Sequence, residues 1–270
     1  MKKIILILLI FSTFVFCKKD DLVGDGAINQ LTKEDMEKLK DFVQKIILFI
    51  QNILNDYKDS KTEGEKLIYE VLEKIYEVLE ILKPLLDSDP QTFLFTLMQI
   101  SDKINLEEYF NKLFENTYVD VIIDAYFSFL SNENIFKIYD SLKDDIFYFL
   151  KKFMNEENAV YIELIEEIYP NIINLIKSDE YKEFWKKCLL IQLYNQLGKE
   201  RFSKEYDVKV LGEEAKEIYN DKIKNNEDFK IIVSKITEKI PFINQSMIDS
   251  YINSYIDSLV NNTFEEDYDY

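Results

Sequence analysis

"YEVLEKIYEVLEIL", residues 69–82, repeats itself after seven residues. With the residue before it, the stretch places Ile68, Leu72, Ile75, Leu79 and Leu82 at alternating spacings of four and three. On a helix of about 3.6 residues per turn that spacing is a single apolar stripe, whereas a strand would scatter the same residues over both faces. Two heptads are too few for a coiled coil. The stretch therefore predicts one core-facing helix among several.

Working outward, helix starts recur along the chain. "TKED" at Thr32 and "TEGE" at Thr62 place a hydroxyl three residues before an acid that can reach back to it, the capping-box pattern, and "SMID" at Ser246 repeats it. "DSDPQTF" sets Asp89 before Pro90, a residue well tolerated in a first helical turn. Asn105, Thr117, Ser178 and Asn226 are further candidate caps. Pro170 in "IYPNI" marks a break, because it lacks an amide and crowds the preceding turn. "YDVKVL", residues 206–211, has the only strand-like alternation and reads as a connector before Gly212. The expected fold is all-α, a multi-helix bundle or capsule of about eleven short-to-medium amphipathic helices. Five Gly and four Pro in 270 residues are too few for the turns of a β-rich fold.

Composition sets the chemical limits. Apolar residues make up 47% of the chain, enough for a sizeable core. A formal charge of −18 makes nucleic acid the wrong partner and disfavours anionic lipid headgroups. There is no histidine, so nucleophile systems that need His, His-ligated zinc and Glu-x-x-His di-iron sites are excluded. Neighbouring acids such as Glu166 and Glu167, or Asp144 and Asp145, point about 100° apart on a helix and read as solvated faces. No catalytic, cofactor-binding or metal-ligating residue is nominated, and the expectation is a non-enzymatic protein without a cofactor. In the loop "DGAI", a calcium-binding register from Asp21 places Val23 and Thr32 where oxygen donors and a bidentate Glu belong, so it reads as a turn.

The N-terminus, "MKKIILILLIFSTFVFC", has two lysines and then a run from Ile4 to Phe16, too short to span a bilayer, which takes about 20 residues. It is expected to be a signal peptide, residues 1–17. The next thirteen residues, 18–30, read as a flexible leader, residues 31–262 as an all-α globular domain, and 263–270 as an acidic tail. No later segment is long and apolar enough to span a membrane. Cys17 carries two meanings. Val15 and Cys17 suit removal by a eukaryotic signal peptidase and release of a secreted protein. "CKKDD" instead resembles the start of surface-exported bacterial lipoproteins acylated at this Cys, although Phe16 makes a poor lipobox. In a eukaryotic host, "NQS" at Asn244 and "NNT" at Asn261 would be glycosylation acceptors.

Cys188 lies in "FWKKCLLIQLY", where Phe184, Cys188 and Ile191 share a face, which predicts a buried thiol. "IIDAYFSFL" and "DDIFYFLKKFM" are apolar around more of the helix than one stripe requires, and predict helices contacted on two sides.

"LLDSDPQTFLFTLMQI", residues 85–100, and "NLEEYFNKLFE", residues 105–115, make residues 42–114 resemble a repeat of the insect allergen-related family, which includes cockroach allergens and midgut microvillar proteins. "NLIKSDEYKEFWKK", residues 174–187, is similar to the same family's Leu-x-Ser-Glu-Glu-Phe junction and points to a second copy over 119–197. "SDKIN" replaces the family's Ala-Gly-Leu-Asp turn, and residues from 200 onward have no counterpart. The resemblance implies paired repeats enclosing a nonpolar cavity that holds fatty acids or phospholipids. The functional expectation is a secreted carrier of fatty acids or other nonpolar ligands. The alternative is a lipid-anchored surface lipoprotein that serves as a protein-interaction module.

Overall fold

A computed structural model describes residues 32–59, 62–88, 92, 117–153, 159–240 and 242–261. The expected signal peptide with Cys17, the leader, the Asp89–Pro90 start, the Asn105 cap, most of residues 85–115 and the acidic tail lie outside them.

The described residues are helical and contain no strand. The α-helices are α1 (Lys33–Tyr57), α2 (Glu63–Leu82), α3 (Val119–Leu130), α4 (Glu133–Phe153), α5 (Ala159–Lys177), α6 (Asp179–Leu197), α7 (Val208–Glu217), α8 (Glu227–Lys239) and α9 (Gln245–Asn261). Short 3-10 turns occupy Lys83–Asp87 and Lys199–Arg201, and a π-helical segment, Ile218–Ile223, continues α7. The all-α expectation holds, with nine α-helices among the described residues where about eleven were expected.

Local chemistry sets several of these boundaries. Thr32 and Asp35 close a reciprocal capping box at α1. Thr62 and Glu65 do the same at α2, with Glu65 N–H on Thr62 Oγ1 at 3.2 Å and Thr62 N–H on Glu65 Oε2 at 3.4 Å. Ser178 and Asn226 cap α6 and α8 through their side chains. Three expectations are corrected. Thr117 is not the cap of α3, whose N-cap is Tyr118 with no side-chain bond. Pro170 does not break α5, which runs through it. That residue is exposed, so the carbonyl that loses its amide partner has access to water. "YDVKVL" opens α7 instead of linking helices, because Asp207 accepts from the amides of Lys209 at 3.0 Å and Val210 at 3.3 Å.

The chain divides into two compact units. The first draws on Met1–Ser60, Tyr69–Leu113 and Ile138–Phe149. Its described core lies along α1, whose Phe42, Val43, Ile46, Ile47, Ile50 and Ile53 are buried, each contributing roughly 1.5–3 kcal/mol over exposure. Gln51–Tyr76 at 2.6 Å and Lys40–Asp87 at 3.1 Å run α1 antiparallel to α2. Bonds from Tyr148 to Asp35 at 2.6 Å and from Lys45 to Asp145 at 2.7 Å hold α4 against α1. On the opening stripe, Ile68, Leu72 and Leu79 are buried and Ile75 is half-buried.

The second unit draws on Lys61–Ile68, Phe114–Lys137 and Leu150–Tyr270. Helix α6 is central to it, packing on α3, α5, α7 and α9. It buries Phe184, Cys188 and Ile191 on one face and Leu190 and Leu193 on the opposite one, as a helix enclosed on two sides must. Helix α3 likewise buries Ile123, Phe127 and Leu130 on one side, and on the other Ala125, whose Cβ would meet a Cβ at Gly64 at 3.2 Å. For α3, contact on two sides is therefore observed. Helix α8 runs antiparallel along α5, tied by Asn171–Asp228 at 2.8 Å and Lys235–Glu167 at 2.5 Å. Helices α7 and α9 approach closely at Gly212, where any Cβ would run into Val260 Cγ2.

Candidate functional site

Helix α9 is a tetrad repeat: Ser-Met-Ile-Asp, Ser-Tyr-Ile-Asn, Ser-Tyr-Ile-Asp and Ser-Leu-Val-Asn, residues 246–261. On an α-helix each tetrad rotates about 40° beyond a full turn. The third position thus reaches full burial at Ile256, while the second moves from exposed Met247 and Tyr251 to buried Leu259. The helix starts two residues earlier than "SMID" implies. Asn244, not Ser246, is the cap, its Oδ1 accepting the Met247 amide at 3.0 Å.

The rotation of α9 about its axis is fixed by polar anchors. The carboxylate of Asp249 accepts from Tyr219 at 2.6 Å, from Gln245 at 2.7 Å and from Lys224 at 2.6 Å. Burial alone would raise its pKa, but these partners prevail and hold it below the usual carboxylate range. The π-helical turn positions Tyr219: Lys224 N–H reaches back five residues to the Tyr219 carbonyl at 2.8 Å, and the Tyr219 ring is buried. Lys216 pairs with Asp257 at 2.5 Å. Both acids of α9 are thus matched by lysines of its own unit, and α9 carries no basic residue.

What remains outward on the N-terminal half of α9 is uncharged, while Asp257 is exposed further along. Ser246, Met247, Ser250, Tyr251 and Ser254 are exposed on the N-terminal half of α9, with Phe242 in the turn before it. Phe242 is 74% exposed, Tyr251 73% and Met247 51%. In a chain with 31% charged residues, a helix face of Ser, Tyr and Met is unusual, and Tyr, Phe and Met are residue types that interfaces favour. The antiparallel α5–α8 pair brings Phe242 to the end of that pair where Val160, Tyr161 and Ile165 are also exposed. The sequence reading passed over this face, although the tetrads were there to be seen.

A second cluster is inward. Trp185 packs against Tyr181 with ring centroids 6.1 Å apart, Phe184 at 5.4 Å and Tyr255 at 6.2 Å. Burial pushes the hydroxyls of Tyr181 and Tyr255 up to about 12 and raises that of Tyr126. Cys188, buried as expected, is pushed by the same cause up to about 12. A thiol so placed stays protonated and makes a poor nucleophile.

The remaining nominated residues separate. Asn244 is exposed beside the α9 face, and Asn261 is exposed at the far end of α9. Glu166 and Glu167 pair with Lys151 and Lys235, and Asp145 with Lys45, so these acids face lysines and not one another. Among the described residues no group of three or more Cys, Asp or Glu side chains is placed to hold a metal, and no helix is long and apolar enough to cross a membrane. Comparison with protein-family models, with curated proteins and with solved structures finds no match.

Proposed function

We propose that the chain is an exported, non-enzymatic all-α binding protein whose working surface is the exposed N-terminal half of α9 with Phe242, and that its ligand is a protein. The observation that carries this is the exposure of Phe242, Met247 and Tyr251 on one short segment whose charged groups are matched internally. Aromatic and Met side chains presented on a rigid helix, without competing charge, are what the centre of a protein interface requires. A photo-crosslinking residue at Ser250 should give discrete protein adducts in the producing host, and Phe242→Ser with Tyr251→Ser should abolish them. Equal labelling from a control position at Ser234 on α8, unaffected by those substitutions, would remove the basis for this function.

The second reading is the carrier of fatty acids or other nonpolar ligands implied by the family resemblance, with the helices arranged as a bundle or capsule of two repeats. It is favoured by α3 and α6, each of which buries opposite faces. Native mass spectrometry before and after delipidation decides it, and a protein recovered without ligand that takes up no fatty acid ends it. In either case the mass of the mature N-terminus distinguishes a secreted chain beginning at Lys18 from a lipoprotein acylated at Cys17.

A further inference from the structure

We infer that residues 242–254, the turn before α9 and the N-terminal half of the helix, are a strap that opens and closes while the C-terminal half stays clamped, and that Asp249 is its latch. This goes beyond the binding function above and stands without it.

The two halves of α9 are held in different ways. From Ile256 on, the helix belongs to the core: Ile256 and Leu259 are buried, and Val260 Cγ2 fills the place that a Cβ at Gly212 would take. Asn195 donates its side-chain amide to the Leu259 carbonyl at 2.8 Å, and Lys216 pairs with Asp257 at 2.5 Å. From Phe242 to Tyr255, by contrast, no residue is buried. Ile248 and Ile252 reach the core only half-buried, and Tyr255, its ring 6.2 Å from Trp185, marks the boundary.

Polar contacts divide the helix at the same place. Among the described residues, the side-chain bonds that tie residues 242–254 to other elements all end on one carboxylate, that of Asp249, which accepts from Tyr219 and from Lys224, each at 2.6 Å. Gln245 bonds to the same acid from within the strap and reaches nothing beyond it.

Propensity does not replace what packing omits. In "SMIDSYINS", residues 246–254, only Met247 is a strong helix former. A helix so short is marginal in water without tertiary packing. Segments with few buried apolar contacts open locally at less free energy than global unfolding requires. The strap fits that description, and α9 beyond Tyr255 does not. Opening turns Ile248 and Ile252 to water and uncovers the Tyr219 hydroxyl. It also dismantles the row of Met247 and Tyr251, so a protein bound to that face would hold the strap shut.

Amide hydrogen exchange of the full-length chain at neutral pH tests this. Relative to unstructured rates, the amides of residues 249–254 should exchange about tenfold or more faster than those of residues 256–260. Asp249→Asn removes the charge that Tyr219 and Lys224 bond to, and should speed the strap a further tenfold or more, roughly. Lys224→Gln changes a half-buried lysine outside the core and should speed it about two- to fivefold. Lys216→Gln breaks an ion pair of the clamped half and should leave residues 249–254 unchanged. Equal protection along the whole of α9 overturns the inference. So does a strap that ignores both Asp249→Asn and Lys224→Gln, or that opens as far in Lys216→Gln as in Lys224→Gln. Lys224→Gln that speeds residues 256–260 and α6 equally also overturns it, since α9 then opens only with its whole unit.

Discussion

Tyr148 donates its hydroxyl to Asp35 Oδ1 at 2.6 Å, while Asp35 Oδ2 accepts the amide and hydroxyl of Thr32. One fully buried carboxylate therefore closes the first turn of α1 and holds α4 against it. Tyr148→Phe takes a donor from a buried carboxylate oxygen and should cost about 1–3 kcal/mol. Thr32→Ala should cost about 1 kcal/mol. Because both act on the same acid, urea denaturation of the double mutant should depart from additivity by about 0.5 kcal/mol or more.

Acid should loosen the second unit through Asp120 and Asp249. Asp120 is 5% exposed, and burial by itself would raise its pKa. The amide and hydroxyl of Ser203 and the hydroxyl of Tyr206 outweigh that and hold it below the usual carboxylate range, as the partners of Asp249 do for it. A depressed folded-state pKa contributes stability that is present above the unfolded value and is lost as pH falls through the folded one. Trp185 is the single tryptophan and lies in this unit, so its fluorescence reports the loss. Stability should fall below about pH 4, near the ordinary Asp value. In Asp120→Asn that acid dependence should shrink, while stability at neutral pH drops.

Alkali acts in the opposite sense on the tyrosines. The hydroxyls of Tyr181 and Tyr255 are pushed up to about 12 by burial, so the folded state favours their neutral form. That stability is complete below the ordinary tyrosine value of about 10 and is lost as pH rises toward the folded value. Ultraviolet titration should show a group of tyrosines ionising only together with the unfolding transition. A titration in which all of them ionise near pH 10 in the native protein would contradict the packing around Trp185.

At Gly212 a substitution should reverse its usual sign. In an ordinary helix Gly→Ala gains up to about 1 kcal/mol. Here the added Cβ meets Val260, and Gly212→Ala should instead cost about 1–3 kcal/mol in thermal or urea unfolding. Val260→Ala in the same chain should recover part of the loss.

Cys188 should be silent toward thiol reagents in the native protein and react fully in denaturant, since its thiol is buried and protonated. Native reactivity at this position would mean that α6 is not enclosed.

Several of these features were legible in the sequence. Thr32, Thr62, Ser178 and Asn226 act within one turn of themselves, so the letters alone place the caps. Phe184, Cys188 and Ile191 needed only helical spacing. Pro170 and "YDVKVL" misled because the outcome depends on surroundings. Exposure lets α5 run through its proline, and Asp207 with the α9 contact at Gly212 turns two valines into a helix start. The α9 face was half legible. The tetrads stand in the sequence, but which of their four columns faces water is decided by Tyr219, Lys224 and Lys216, all distant along the chain.

The tetrad has a consequence for how this helix can change length. Loss or gain of one residue turns everything beyond it by about 100°: a loss would carry Asp257 into the place of Ile256, and a gain would carry Ser258 into that of Leu259. Loss or gain of a whole tetrad turns it by only about 40°, and the incoming residues are of the same kinds as those they replace. The gene for such a helix can shorten or lengthen in steps of twelve nucleotides without scrambling the inside, and each step moves the row of tyrosines sideways by a fraction of a turn. Length variation then becomes a means of re-aiming the surface.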